Sequence, residues 1–113
     1  MGKYIVIFIT VSGDKEAKKI AEFLVKTKLA ACVNIVPKIS SIYRWKGKIE
    51  RSKELLLVVK TKKAVFKKLI KEVKKIHKYT VPEIISLPIT GGNEDYLKWI
   101  DNNTIDPLRK AKG

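Results

Sequence analysis

The 113-residue sequence has no glutamine, one cysteine, one histidine and three arginines, and none of its apolar runs approaches the roughly 18 residues of a membrane-spanning helix. Each shortage closes a class of protein. A lone thiol, Cys32, forms no internal disulfide, which sets aside the disulfide-stapled secreted scaffolds; its neighbours in LAACVNIV suggest a buried, unreactive side chain. CxxC, HExxH, P-loop, GxSxG and GxGxxG motifs are all missing, so no zinc, nucleotide or nucleophile signature points to an enzyme, and no catalytic residue is assigned. Without linkers or low-complexity tracts, residues 1–113 read as a single domain around one core. The opening MGKYIVIFITV could pass for a leader, but charged GDKEAKK follows it in place of a small-residue cleavage site. We read it as a strand of a cytoplasmic protein.

What the chain does have is lysine. The formal charge of +14 rests almost wholly on it, and such an excess raises nucleic acid or an anionic membrane as partner. The distribution argues otherwise. In KKAVFKKLIKEVKKIHK, the residues Val65, Phe66, Leu69, Ile70, Val73 and Ile76 recur at helical spacing, which puts the lysines on the opposite, solvated face. With 45% apolar and 32% charged residues the chain is globular, and the high charge without glutamine fits a heat-adapted source.

KYIVIFITV is a short β-branched run, and DKEAKKIAEFLVKTKLA places Ala17, Ile20, Ala21, Leu24 and Val25 on one helical face. AACVNIVPKISSIYRW and KIERSKELLLVVKT are extended runs of about 14 residues about a Lys46-Gly47 turn, far beyond the usual strand of about 5 to 6. VPEIISLPI is a fourth extended run whose Pro82 and Pro88 suit strand ends or an edge, and GGNEDYLKWIDNN opens a short helix with Asn93 as N-cap. The order β-α-β-β-α-β plus a helix predicts an α+β, ferredoxin-like split βαβ fold with a long β-hairpin and a C-terminal helix.

Two helices cover one face of such a sheet, yet Ile5 to Ile9 and Leu55 to Val59 are apolar without a break, which arms both faces of the central strands. A second copy of the chain is the expected cover. The polar hairpin tip with Trp45 and Ile49 is expected to reach a neighbour, and Tyr43 and Trp45, two apart on one strand face, are the expected interface aromatics. Glu50 and Glu54 share a strand face, but Lys48 and Lys53 beside them suit a solvated surface better than an acid/base pair. Glu94 and Asp95 would repel an anion at the last helix start, so GG at 91 and 92 reads as a turn. The RNA-recognition motif shares this fold but needs aromatics on its third strand; KIERSKELLLVV has none, and no specific nucleic acid is expected as partner.

Certain residues also form a recognisable set: Ala31-Cys32-Val33-Asn34; Ser41, Tyr43, Trp45, Gly47 and Glu50; Glu54; Lys60-Thr61; His77, Tyr79, Pro82 and Glu83; Pro88; and Tyr96, Leu97 and Trp99. On these the chain closely resembles the CutA family of divalent-cation-tolerance proteins, from the first strand to about Trp99. The resemblance implies a homotrimer assembled like the PII signalling proteins, binding of copper(II) or another divalent cation, and a role in metal tolerance. The family's proposed copper ligands are a cysteine ending the first strand and two adjacent histidines before Tyr-x-x-Pro-Glu. Here Ile9 and Ile76 stand at the cysteine and first histidine, leaving His77, with Glu83 as the further candidate ligand. A trimeric scaffold or signalling module that binds a small anion or a protein partner is the competing reading.

Overall fold

The elements follow as β1 (Tyr4–Val11), α1 (Asp14–Lys26), β2 (Cys32–Trp45), β3 (Lys48–Lys62), α2 (Phe66–Ile76), β4 (Ile84–Pro88) and α3 (Glu94–Asn102), with a 3-10 turn at Lys63–Val65 leading into α2. The computed structural model describes residues 2–106; residue 1 and residues 107–113 of the expected domain lie outside the described residues. The strands pair antiparallel in the order β2-β3-β1-β4, the split βαβ arrangement predicted from the element order. Tyr4–Val11 of the leader-like opening is therefore an inner strand. Pro88 ends β4, an edge strand, where its missing amide costs no ladder bond.

Opposite residues in an antiparallel pair project to the same side, so the register sorts the apolar runs into two faces. Ile5, Ile7, Ile9 and Val11 of β1 with Leu55, Leu57 and Val59 of β3 are buried beneath α1 and α2, against Ala17, Ile20, Leu24, Leu29, Leu69 and Val73. Val6, Phe8, Leu56 and Val58 point the other way and are only half-buried, while Val36, Ile85 and Leu87 on that open face are exposed. One helical position departs from expectation: Val25 is 44% exposed, because it falls at the edge of the α1 stripe in the last turn.

The open face, for which a second copy is the expected cover, is partly closed from within the chain. Lys62 and Cys32 both belong to that face, and α3 lies across them. Lys62 Nζ reaches Asp101 Oδ1 at 2.9 Å, and Tyr96 lies beside Cys32; burial first, and then the neighbouring thiol, raise the tyrosine's pKa. Cys32 is accordingly half-buried at the sheet surface rather than enclosed in the core. At the start of α3, Asn93 Oδ1 accepts the Asp95 amide at 2.9 Å, the cap expected of it.

The β2–β3 hairpin runs for 14 and 15 residues about a turn in which Lys46 (φ 50°) and Gly47 (φ 80°) are both left-handed, the requirement of a type I′ corner. Halfway along β2 the pairing slips between Val36 and Ile39, where Lys38 is left-handed (φ 59°). This bulge inserts one residue and reverses the odd-even alternation beyond it. As a result Tyr43 and Trp45 share a side with Glu54 and the open face instead of the core side.

Candidate functional site

His77 ends α2, its amide donating to Val73 O at 2.9 Å, and its ring turns inward under the sheet edge. Nε2–H donates to Thr10 O at 2.8 Å, since a carbonyl only accepts, and Nδ1 accepts the Tyr79 amide at 3.0 Å. Those two bonds define the neutral Nε2–H tautomer. Glu16 Oε2 lies 3.6 Å from Nδ1 and accepts the Lys78 amide at 2.9 Å, while Oε1 accepts the Ser12 amide and hydroxyl at 3.1 and 3.0 Å. Burial alone would raise the Glu16 pKa; the Lys78 and Ser12 donors outweigh it and hold the carboxyl below its ordinary 4.5. Together Glu16 and His77 pin the start of the 77–83 loop to the end of β1.

Beyond that anchor Tyr79 turns back over the open side, and its hydroxyl donates to Glu54 Oε2 at 2.8 Å. Burial, the hydrogen bond and the negative charge of Glu54 all push the phenol's pKa up, so Tyr79 remains a donor throughout the physiological range. Glu54 is 6% exposed and makes no ion pair among the described residues, although the chain has 25 basic side chains. It forms the floor, with Thr10, of a cleft of about 680 Å³ between the loop and the hairpin arm. Tyr79, Val81 and Glu83 form one wall; Ser41, Tyr43 and Trp45 form the other. Neither lysine nor arginine lines it. Tyr43 and Trp45 are 43% and 42% exposed, and the Tyr43 hydroxyl accepts from Ser52 Oγ at 3.2 Å.

The expected ligands thus part company. Glu83 is exposed at the cleft wall, but His77 has both ring nitrogens engaged, and a metal at either one would displace the Tyr79 amide or the Thr10 carbonyl. Among the described residues no three histidine, cysteine, aspartate or glutamate side chains come together as a metal-binding group. Sequence reading missed the place of Glu54, since a glutamate two residues past a serine in a lysine-rich arm looks solvated. The signal that bore on it was Tyr79, 25 residues away and unlinked until the fold is known.

Comparison with known proteins bears on the whole of this arrangement. The family described as CutA1 divalent ion tolerance protein matches residues 5–103. A Divalent-cation tolerance protein CutA from Thermus thermophilus is 54% identical over 99 residues, which are 88% of this chain and 96% of that protein. A protein from Arabidopsis thaliana named Protein CutA, chloroplastic, is 48% identical over 100 residues but is spanned over only 55% of its length. Among solved structures, the Thermus thermophilus divalent cation tolerance protein superposes with a TM-score of 0.88 at 52% identity, covering 89% of this chain and 98% of that one. A CutA from Archaeoglobus fulgidus, described as periplasmic, gives 0.86 at 44% identity over 88% and 97%. The compartments named for these relatives differ, and no helix of the described residues is long and apolar enough to cross a membrane. With nearly its whole described length matched at about half identity, the chain belongs to the CutA1 divalent ion tolerance family.

Proposed function

We propose that the protein acts in the response to divalent cations as a homotrimer, in the cytoplasm, and that its cleft is the place where cations are met. The composition of that cleft carries the reading: Glu54 and Glu83 line it without any basic side chain, in a chain of net charge +14. A small anion, the occupant required by the scaffold reading, would face two carboxylates there and be repelled. The open apolar patch of Phe8, Val58, Ile85 and Leu87 and the projecting hairpin support assembly, because a monomer would leave both in water.

Copper(II) normally collects several nitrogen and oxygen donors in tetragonal geometry. One chain does not fit that demand, with its only imidazole committed to two hydrogen bonds and two carboxylates in the cleft. We assign Glu83, together with Glu54, as the oxygen donors toward a divalent ion, and give His77 a positioning role through Tyr79.

Calorimetric titration with copper(II) and manganese(II) tests this on the assembled protein. Weak binding that disappears in the Glu54→Gln, Glu83→Gln double variant is the expected result. A tight copper site of fixed stoichiometry that vanishes in His77→Ala while surviving the double variant would restore His77 as a ligand and overturn the assignment. Sedimentation addresses the assembly, and a stable folded 12.9 kDa species at micromolar concentration would defeat it.

A further inference from the structure

Helical periodicity explains where the lysines of α2 lie but leaves their charge unanswered. From Lys63 to Lys78 the chain has seven lysines and a single carboxylate, Glu72, which pairs with Lys75 at 3.1 Å. Lys67, Lys68, Lys71 and Lys74 are exposed and make no ion pair among the described residues. Lys67 and Lys68 stand four and three residues before Lys71, spacings at which like charges weaken a helix. The row therefore costs α2 stability and adds nothing to its packing, which Leu69 and Val73 supply from the buried face. α1 brings Lys15, Lys18, Lys19 and Lys26 to the same side of the sheet, with Asp14 and Glu22 as its exposed acids. This helical side is the reverse of the open face, so contact between copies through that face leaves it in water.

We propose that the outer face of α2, flanked by α1, is a sequence-independent docking surface for the phosphodiester backbone of a double-stranded nucleic acid. Lysines neutralise phosphates and release their counterions without reading bases. The three arginines, the residue type that reads guanine edges, all lie outside the two helices. Single strands are held by aromatic platforms as well as by charge, and Val25 is the only large apolar side chain of α1 or α2 that is exposed. The same bareness disfavours a membrane, which an amphipathic helix enters by its apolar face; that of α2 is buried in the core. The 11 residues of α2 span about 16 Å, along which a duplex displays roughly ten phosphates, so the lysines set the number of contacts.

Fluorescence anisotropy of the assembled full chain with short labelled DNA duplexes tests this, with a chelator present so that no divalent ion bridges protein and phosphate. Binding is expected at about 50 mM salt, equally for two duplexes of unrelated sequence, and log affinity should fall against log salt with a slope of roughly −4, the value for four or five phosphate contacts. The triple variant Lys67→Gln, Lys71→Gln, Lys74→Gln should bind about tenfold or more weakly and flatten the slope by about 3. A control triple, Lys48→Gln, Lys53→Gln, Lys98→Gln, removes the same charge from the hairpin and α3 and should change affinity by less than about threefold. Unchanged circular dichroism and sedimentation are required of both. Equal losses in the two triples would mean that net charge acts without a surface, and overturn the inference. So would silence at about 50 mM salt, tighter binding of a single strand of the same length, or binding to phosphatidylcholine–phosphatidylserine vesicles in place of the duplex. With divalent ions chelated, none of these outcomes bears on the cation-directed reading of the cleft.

Discussion

Glu16 and His77 divide one task between them. The carboxylate collects Ser12 and Lys78 donors, the imidazole bridges the Thr10 carbonyl and the Tyr79 amide, and the loop that lines the cleft hangs from these bonds. Glu16 is 4% exposed, so its ionised form depends chiefly on those donors. With its folded pKa below the unfolded value of 4.5, its contribution is fully present above about pH 4.5 and is lost as the pH falls through the lower folded value. Thermal melts of the wild type should therefore weaken below that point, and Glu16→Gln should flatten this part of the profile while lowering stability at neutral pH by about 2 kcal/mol, the range for bonds to a charged acceptor. An unaltered acid limb in Glu16→Gln would show that other carboxylates govern it. The corresponding His77→Ala change is expected to loosen Tyr79 and, through it, Glu54, which nuclear magnetic resonance of the Tyr79 amide would register directly.

At the level of elements, the hairpin arm is where sequence and structure differ most instructively. Its length, its corner at Lys46-Gly47 and its antiparallel pairing were all legible, because two long apolar-to-polar runs about a glycine leave few alternatives. The bulge at Lys38 was not, since a lysine carries no mark of a left-handed backbone, and it is the bulge that turns Tyr43 and Trp45 to the side of Glu54. The second face of the sheet was read from the unbroken runs of β1 and β3, but its partial cover by α3 depends on Lys62–Asp101 and Tyr96–Cys32 contacts between residues 39 and 64 positions apart, which spacing cannot reveal. For the cleft, the sequence supplied Glu83 and His77 as candidates; the fold places Glu83 on the wall and His77 in the anchor of the loop, and adds a buried Glu54 that spacing did not single out. The arm gives a direct test of its own. Trp45→Ala is expected to lower the melting temperature of the assembled protein more than Lys67→Ala on the solvated side of α2, because an aromatic that becomes buried against a neighbour commonly loses roughly 3 to 5 kcal/mol on truncation. Equal shifts would mean that the arm stays in water.

Across the whole molecule, apolar cover and charge pull in opposite directions. Phe8, Val58, Ile85 and Leu87 form adjoining positions on the open face, with Phe8 opposite both Ile85 and Val58 and Val6 opposite Leu87, so α3 leaves a contiguous apolar patch across three strands. Burying it favours assembly by about 25 cal/mol for each Å² removed from water. The net charge of +14 on every copy opposes it, and this repulsion acts over distances that salt screens, with a Debye length of about 10 Å at 0.1 M. Assembly should therefore tighten with moderate salt, the reverse of the behaviour of a complex held by opposite charges. Ile85 isolates the apolar contribution, because it is 51% exposed in the single chain and lies on β4 away from the core cluster. Ile85→Lys leaves the fold's own packing nearly untouched while placing one more charge within the patch, on its β4 side. Sedimentation of this variant should show folded 12.9 kDa subunits at low salt and partial recovery of the larger species at high salt, with the circular dichroism of the wild type. An Ile85→Lys protein that sediments like the wild type at every salt concentration would move the interface off the open face and onto the hairpin alone.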